Sequence, residues 1–229
     1  MLVIFVLLYF IMVSLFMYAN YFDLVIMRGI FKALCGIMFV LVPFIVTKKN
    51  KVRSTPYFKT MVVGFVLALL GDVLLDVDNS NFSILFILGM LFFALTHVAF
   101  SVGFLKHVKF NKVTFISLIS LFVPTLLLLN CFGLINAGDL TLVINVYAFI
   151  ISAMVSLAIT MFTKKDINKY IRYMNLFGVI LFAISDLILV FALFGNSPSK
   201  FLLLSNNLVY YIAQLFIGLS FYKVKKSYK

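Results

Sequence analysis

Eight apolar stretches separated by short polar breaks take up most of the chain. Their approximate limits are Leu2–Ala19, Ile30–Val46, Phe58–Val77, Phe82–Leu105, Val113–Asn130, Leu140–Phe162, Tyr173–Phe194 and Phe201–Tyr222. Each runs for about 17–25 residues, the length at which an α-helix spans ~30 Å of hydrocarbon. A bilayer offers no water to backbone N–H and C=O groups, so runs of this kind form helices. The pattern predicts an all-α, polytopic membrane protein with eight transmembrane helices in one domain over residues 1–229. The first run lacks a basic leader and a small-residue cleavage site, and is expected to be a retained helix. Asp78-Asn79-Ser80-Asn81 is turn-rich, with Ser80 or Asn81 expected to cap the fourth helix. Gly195-Asn196-Ser197-Pro198 closes the seventh. The third and fourth runs, and the seventh and eighth, are therefore expected to form tight hairpins.

Composition supports the membrane assignment. The chain is 65% hydrophobic and 11% charged, with a mean hydropathy of +1.19, far from the ~25% charged residues of soluble domains. With no Trp, tyrosine must supply any interfacial belt. The net charge of +12 does not point to nucleic acid, because the basic residues cluster between apolar runs. Lys48, Lys49, Lys51, Arg53 and Lys59 follow the second run, and Lys106, Lys109 and Lys112 the fourth. Lys164, Lys165, Lys169 and Arg172 follow the sixth, and Lys223, Lys225, Lys226 and Lys229 the eighth. Sixteen of the 19 basic residues thus fall on one side. Arg28 and Lys200 lie on the other, and Lys32 within a helix. The positive-inside rule predicts a multi-pass protein, expected in the cell membrane, with both termini in the cytoplasm. Cys35 and Cys131 have no metal or disulfide spacing. Two histidines and no Glu leave little for a metal site.

The chemistry lies in the polar residues that interrupt the apolar runs. All seven acidic residues are Asp, and only Asp72 and Asp186 sit well inside runs. A charge at bilayer depth costs at least ~2.5–3.5 kcal/mol on insertion scales, so such residues point to function. Both belong to the extracytoplasmic half, as does Lys32, read as two residues into its helix and either snorkelling to the headgroups or pairing with Asp72 or Asp186. Asp76 shares a face with Asp72 but reads as a wet helix end. His97, Tyr147 with Asn145, Tyr210, Tyr211 and Gln214 fit either helix–helix hydrogen bonding or a site. Ser185 is expected to bond back to its own helix, and His107, among lysines, to be solvated. The local frames of Asp72 and Asp186, 114 residues apart, are similar, and the same offset sets His97 against Tyr211. A parallel four-plus-four repeat and a coincidence in Leu-rich sequence both account for this.

These residues resemble a known family. Phe-Lys-Ala-Leu at Lys32, Gly71-Asp72-Val73-Leu74-Leu75, Leu-Thr-His-Val-Ala-Phe at His97, Tyr147 with Ile151 and Met154, Ile184-Ser185-Asp186 and Tyr210-Tyr211-Ile212-Ala213-Gln214 follow in order. The set is similar to the YhhN-type lysoplasmalogenases, small eight-helix membrane proteins. Ala33 departs from the pattern, where the family usually has Pro, and Asp76 has no counterpart. The resemblance implies hydrolysis of the vinyl ether bond of a lysoplasmalogen to a fatty aldehyde and a glycerophospho-alcohol. The substrate would then be a lysophospholipid drawn from the bilayer.

A buried Asp pair suits that chemistry. Vinyl ethers break after slow protonation of the β-carbon, which leaves an oxocarbenium ion for water to attack. Burial and a second carboxylate help one acid keep its proton, while the other stabilises the cation and activates water, as in glycosidases. Asp72 and Asp186 are the expected catalytic pair, with acid and base unassigned. Lys32, His97, Tyr147, Ser185, Tyr210, Tyr211 and Gln214 are expected around them, Lys32 either keeping one Asp ionised or contacting the lipid phosphate, and no metal or organic cofactor is required. A proton- or ion-coupled small transporter would use the same Asp and Lys residues. A serine-type hydrolase built on Ser185, His97 and Asp72 lacks a nucleophile elbow.

Overall fold

The computed structural model describes residues 2–47, 50–77, 83–197 and 199–223. Among these residues the regular structure is all helical, joined by short turns and loops, with one isolated bridge between Ile135 and Gly195. The long helices are α1 (Leu2–Tyr21), α2 (Val25–Val46), α3 (Pro56–Val77), α4 (Ile84–Leu105), α5 (Lys112–Asn130), α6 (Thr141–Thr163), α7 (Lys169–Phe194) and α8 (Lys200–Leu219). All eight are long and apolar enough to cross a membrane. Single helical turns lie at Asn50–Arg53, Gly138–Leu140 and Ser220–Lys223.

Helix starts follow capping chemistry, and this shifts several expected boundaries. Ser83 caps α4 by accepting from the Phe86 amide at 3.0 Å, in place of the expected Ser80 or Asn81, which lie outside the described residues. Asn111 and Thr114 form a reciprocal capping box on α5, and Asn168 caps α7 five residues ahead of the apolar run's start. The largest shift is at α2, which begins at Val25 rather than Ile30. Lys32 therefore lies a full two turns inside the helix, and Arg28 lies inside it too. Hydropathy marks where apolar residues begin; backbone hydrogen bonding continues past a charge that finds a partner.

Six helices form a closed ring in which α2, α3, α4, α6, α7 and α8 each pack on the next, and α8 returns to α2. α1 lies outside on α2 and α8, and α5 outside on α6. The closest-packed pairs are the hairpins α3–α4 and α7–α8. A Cβ on Gly71 would lie 2.8 Å from the Phe93 ring and 3.2 Å from the Gly89 carbonyl, and one on Gly178 would lie 3.0 Å from the Ile217 amide nitrogen. Small residues thus let the hairpin backbones approach closely, the usual basis of helix association in a bilayer. Inside the ring the core is aromatic, with Phe39, Phe65, Phe100, Phe182 and Tyr211 fully buried. Outward-facing Ile, Leu, Val and Phe side chains are exposed, as lipid contact requires.

Packing and end chemistry recur with an offset of four helices. α1–α2, α2–α3, α3–α4 and α4–α6 correspond to α5–α6, α6–α7, α7–α8 and α8–α2. Arg53 donates to the Phe44 and Thr47 carbonyls at the end of α2, its guanidinium 5.8 Å from the Phe44 ring centroid. Arg172 donates to the Phe162 carbonyl at the end of α6 and lies 5.8 Å from that ring. Each arginine satisfies carbonyls that a helix C-terminus leaves free. At the same lysine-rich end His107 is not solvated as expected. It is half-buried against Tyr57, ring centroids 4.4 Å apart, and burial lowers its pKa to about 4 against an opposing effect of Asp166.

Candidate functional site

The site is built on the hairpin helices. Asp72 on α3 lies five residues before the end of its helix, and Asp186 on α7 eight residues before the end of its own. At 1.5 Å per residue, both carboxyl groups sit roughly 8–12 Å below the helix ends opposite the lysine-rich side. They are 4% and 5% exposed, and both line one polar cavity of about 420 Å³.

Each carboxyl group is met by the last helix of the other half of the chain. Tyr210 on α8 donates its hydroxyl to Asp72 Oδ2 at 3.0 Å. His97 on α4 holds Nε2 3.0 Å from Asp186 Oδ2 and 3.1 Å from the Tyr147 hydroxyl, which also hydrogen-bonds Asp186. The other ring nitrogen, Nδ1, faces the Met154 sulfur at 3.4 Å. A thioether is a weak acceptor, so the strongest polar neighbours of the imidazole are Asp186 and Tyr147 on its Nε2 side. Phe93, Phe182 and Tyr210 meet edge to face, and Phe182 also packs on His97 at 4.5 Å. This aromatic cluster links the two polar groups, with Phe93 and Tyr210 in the wall of the cavity that both carboxyl groups line.

Asp186 has a second outlook. Besides the polar cavity it lines an apolar one of about 210 Å³ between α5, α6 and α7, walled by residues such as Leu121, Ile144, Ile151, Ala183 and Val190. A small cavity of about 40 Å³ shares walls with both and is also lined by Asp186. One carboxyl group thus stands where a polar chamber meets an apolar channel, an arrangement suited to an amphiphile.

Lys32 points into the polar cavity, but its paired carboxylate is Asp76, at 3.7 Å, rather than Asp72 or Asp186. Asp76 in turn pairs with Arg28 at 3.0 Å, and its side chain is only 13% exposed. It is the centre of a largely enclosed ion-pair cluster, not the wet helix end expected for it. Ser185 donates to the Phe182 carbonyl at 2.7 Å and its own carbonyl accepts from Asn206, so its hydroxyl is occupied within its helix. Tyr211 and Gln214 are buried on α8 away from the three cavities, Tyr211 packing on Phe16 and Phe39 and receiving the Tyr9 hydroxyl on its carbonyl. Asn145 pairs with Asn130 at the surface. Among the described residues no group of three His, Cys, Asp or Glu side chains could hold a metal ion.

Residues 27–221 match the sequence profile of the YhhN family. The chain belongs to the YhhN family. No curated protein and no solved structure matches it. The matched stretch of this YhhN protein takes in both carboxylates, His97, Tyr147, Tyr210 and the Arg28–Asp76–Lys32 cluster. Ala33 leaves α2 unbroken from Val25 to Val46. Arg28 and Asp76 were the residues hardest to find from sequence. Their signal was a spacing of four from Lys32 and from Asp72, which sets each pair on one helix face.

Proposed function

We propose that this YhhN protein is a lysoplasmalogenase-like ether hydrolase, which cleaves the vinyl ether of a lysophospholipid within the membrane. The observation that carries the reading is the position of Asp186, which shares a polar cavity with Asp72 and also lines an apolar channel. In a 1-alkenyl lysophospholipid the vinyl ether is the junction between polar and apolar parts. With the hydrocarbon tail in the channel and the glycerol end in the polar cavity, the scissile group lies beside the two carboxyl groups.

The bond order of the substrate then assigns roles. The β-carbon of the vinyl ether is on the tail side of the oxygen, so Asp186 is placed to deliver its proton there. The resulting oxocarbenium ion forms beside Asp72, whose carboxylate stabilises it and takes a proton from the water that adds to the α-carbon. The hemiacetal releases the glycerol oxygen and leaves a fatty aldehyde. His97 and Tyr147 orient Asp186, and His97 is within reach to return a proton to it. Tyr210 holds Asp72 in place. Positioned acid–base groups of this kind are typically worth 10²–10⁴ in rate. In the cell membrane, with the lysine-rich end in the cytoplasm, the cavity belongs to the outer leaflet.

The test is chemical. Purified protein in detergent is given a lysoplasmalogen in D₂O, without added metal and without an ion gradient. The expected product is free aldehyde with one deuterium on the carbon next to the carbonyl, because the proton goes to carbon. No aldehyde from any lysoplasmalogen, together with dissipation of a proton gradient in liposomes, would replace the enzyme with an ion-coupled transporter.

A further inference from the structure

We infer that Arg28 and Lys32, held by Asp76, form a binding site for the phosphodiester of a lysophospholipid headgroup at the far end of α2. The identity of the lipid rests on the hydrolase reading above; the anion chemistry rests on donor geometry.

Arg28 carries five N–H donors and Lys32 three, and both converge on the single carboxylate of Asp76. Arg28 Nε is 3.0 Å from Asp76 Oδ1, but both Nε and Nη2 are buried with no hydrogen-bond partner among the described residues. Lys32 is 3.7 Å from the same oxygen, a loose pair that leaves most of its donor capacity free. The side chains of Arg28 and Lys32 are each 12% exposed, so bulk water is not a ready substitute. A buried donor left unmatched costs free energy, and a cationic one more. Both cations line the polar cavity. Asp76 holds the guanidinium by a 3.0 Å ion pair at Nε, while neither Nε nor Nη2 makes a hydrogen bond among the described residues; donors left open in this way suit a group with several oxygens. A phosphodiester fits, since Arg recognises phosphate through paired N–H bonds and Lys adds a point charge.

Spacing agrees. Asp72 and Asp76 are four residues apart on α3, about 6 Å along the helix axis. In a lysoplasmalogen the vinyl ether oxygen and the phosphorus are five bonds apart, about 6 Å when extended. A phosphate held at Asp76's level therefore sets the ether oxygen at the level of Asp72. At the mouth, Lys200 and Asp23 form an exposed pair at 2.7 Å, and neither cation of the clamp is engaged by it.

The experiment measures binding, not turnover. The full-length protein in detergent is titrated with a radiolabelled 1-O-alkyl lysophospholipid, a saturated ether that cannot be cleaved through a vinyl group. Parallel arms use the 1-O-alkylglycerol of the same chain length and inorganic phosphate as competitor. The wild type should bind the lysophospholipid at least ~10-fold more tightly than the alkylglycerol, and Arg28→Gln and Lys32→Gln should each reduce that preference by about 10-fold or more, as loss of charged hydrogen bonds does. Arg28→Lys, which keeps charge but loses the fork, should restore part of it. Alkylglycerol binding in each variant reports that the fold is intact. An unchanged preference in both Gln variants overturns the clamp. Displacement of the lysophospholipid by inorganic phosphate at comparable affinity overturns the headgroup assignment in favour of the free ion. Because the probe is not a substrate, failure to release aldehyde would sink the hydrolase without touching these ratios.

Discussion

Replacing Asp186 by Asn tests the site with little change in shape. The carbonyl oxygen of Asn can accept from Tyr147 and the amide can donate to His97 Nε2, so both groups that now face Asp186 keep a partner. The proton for carbon is lost, and kcat should fall at least ~10²-fold, about 2.7 kcal/mol in the barrier. Asp186→Leu removes the polar group altogether. His97 and Tyr147 can still bond each other, so one partner is lost rather than two, and stability should drop by about 1–3 kcal/mol. The assay is aldehyde release with deuterium analysis, run beside thermal unfolding in detergent. An Asn variant that is folded and turns over at the wild-type rate would refute the mechanism. So would an aldehyde formed in D₂O without deuterium next to its carbonyl.

Further outcomes follow from other parts of the molecule. Ser185→Ala should keep most activity in the aldehyde assay, because its hydroxyl is bonded to Phe182; a loss comparable to Asp186→Asn would bring back a nucleophilic serine. Ala183→Phe should fill part of the apolar channel, raising KM for long alkenyl chains more than for short ones in a chain-length series. Topology reporters fused after Phe110 and Asp166 should report cytoplasm, and those after Asn136 and Asn196 the opposite side. His107, neutral in the fold down to about pH 4, binds a proton in the unfolded chain below about pH 6.5. Stability should therefore be intact above that range and fall on acidification from about pH 6.5 to 4, by roughly 1–3 kcal/mol. In His107→Phe, thermal unfolding followed against pH should lose that part of the slope.

Hydropathy alone indicated eight helices long and apolar enough to cross a membrane and picked out Asp72 and Asp186 as the carboxylates well inside them. The reason is energetic: water-free surroundings leave few structures open to an apolar run and make any ionisable group inside one costly without a purpose. The residue order around Lys32, Asp72, His97, Asp186 and Tyr210 was likewise sufficient to indicate the family. Helix ends were less legible, since α2 runs back through Arg28, a charge whose partner lies on another helix. Partner choice was legible only in three dimensions. Lys32 turns to Asp76 rather than to Asp72 or Asp186, His97 takes Asp186 and Tyr147, and Tyr210 rather than its neighbour Tyr211 reaches Asp72. Adjacent residues on α8 point about 100° apart, so which tyrosine meets the carboxylate depends on how α8 is rotated against α3. The apolar channel, too, depends on α5 standing outside the ring against α6. No single run encodes it, because its walls come from three helices and exist only once those helices have packed.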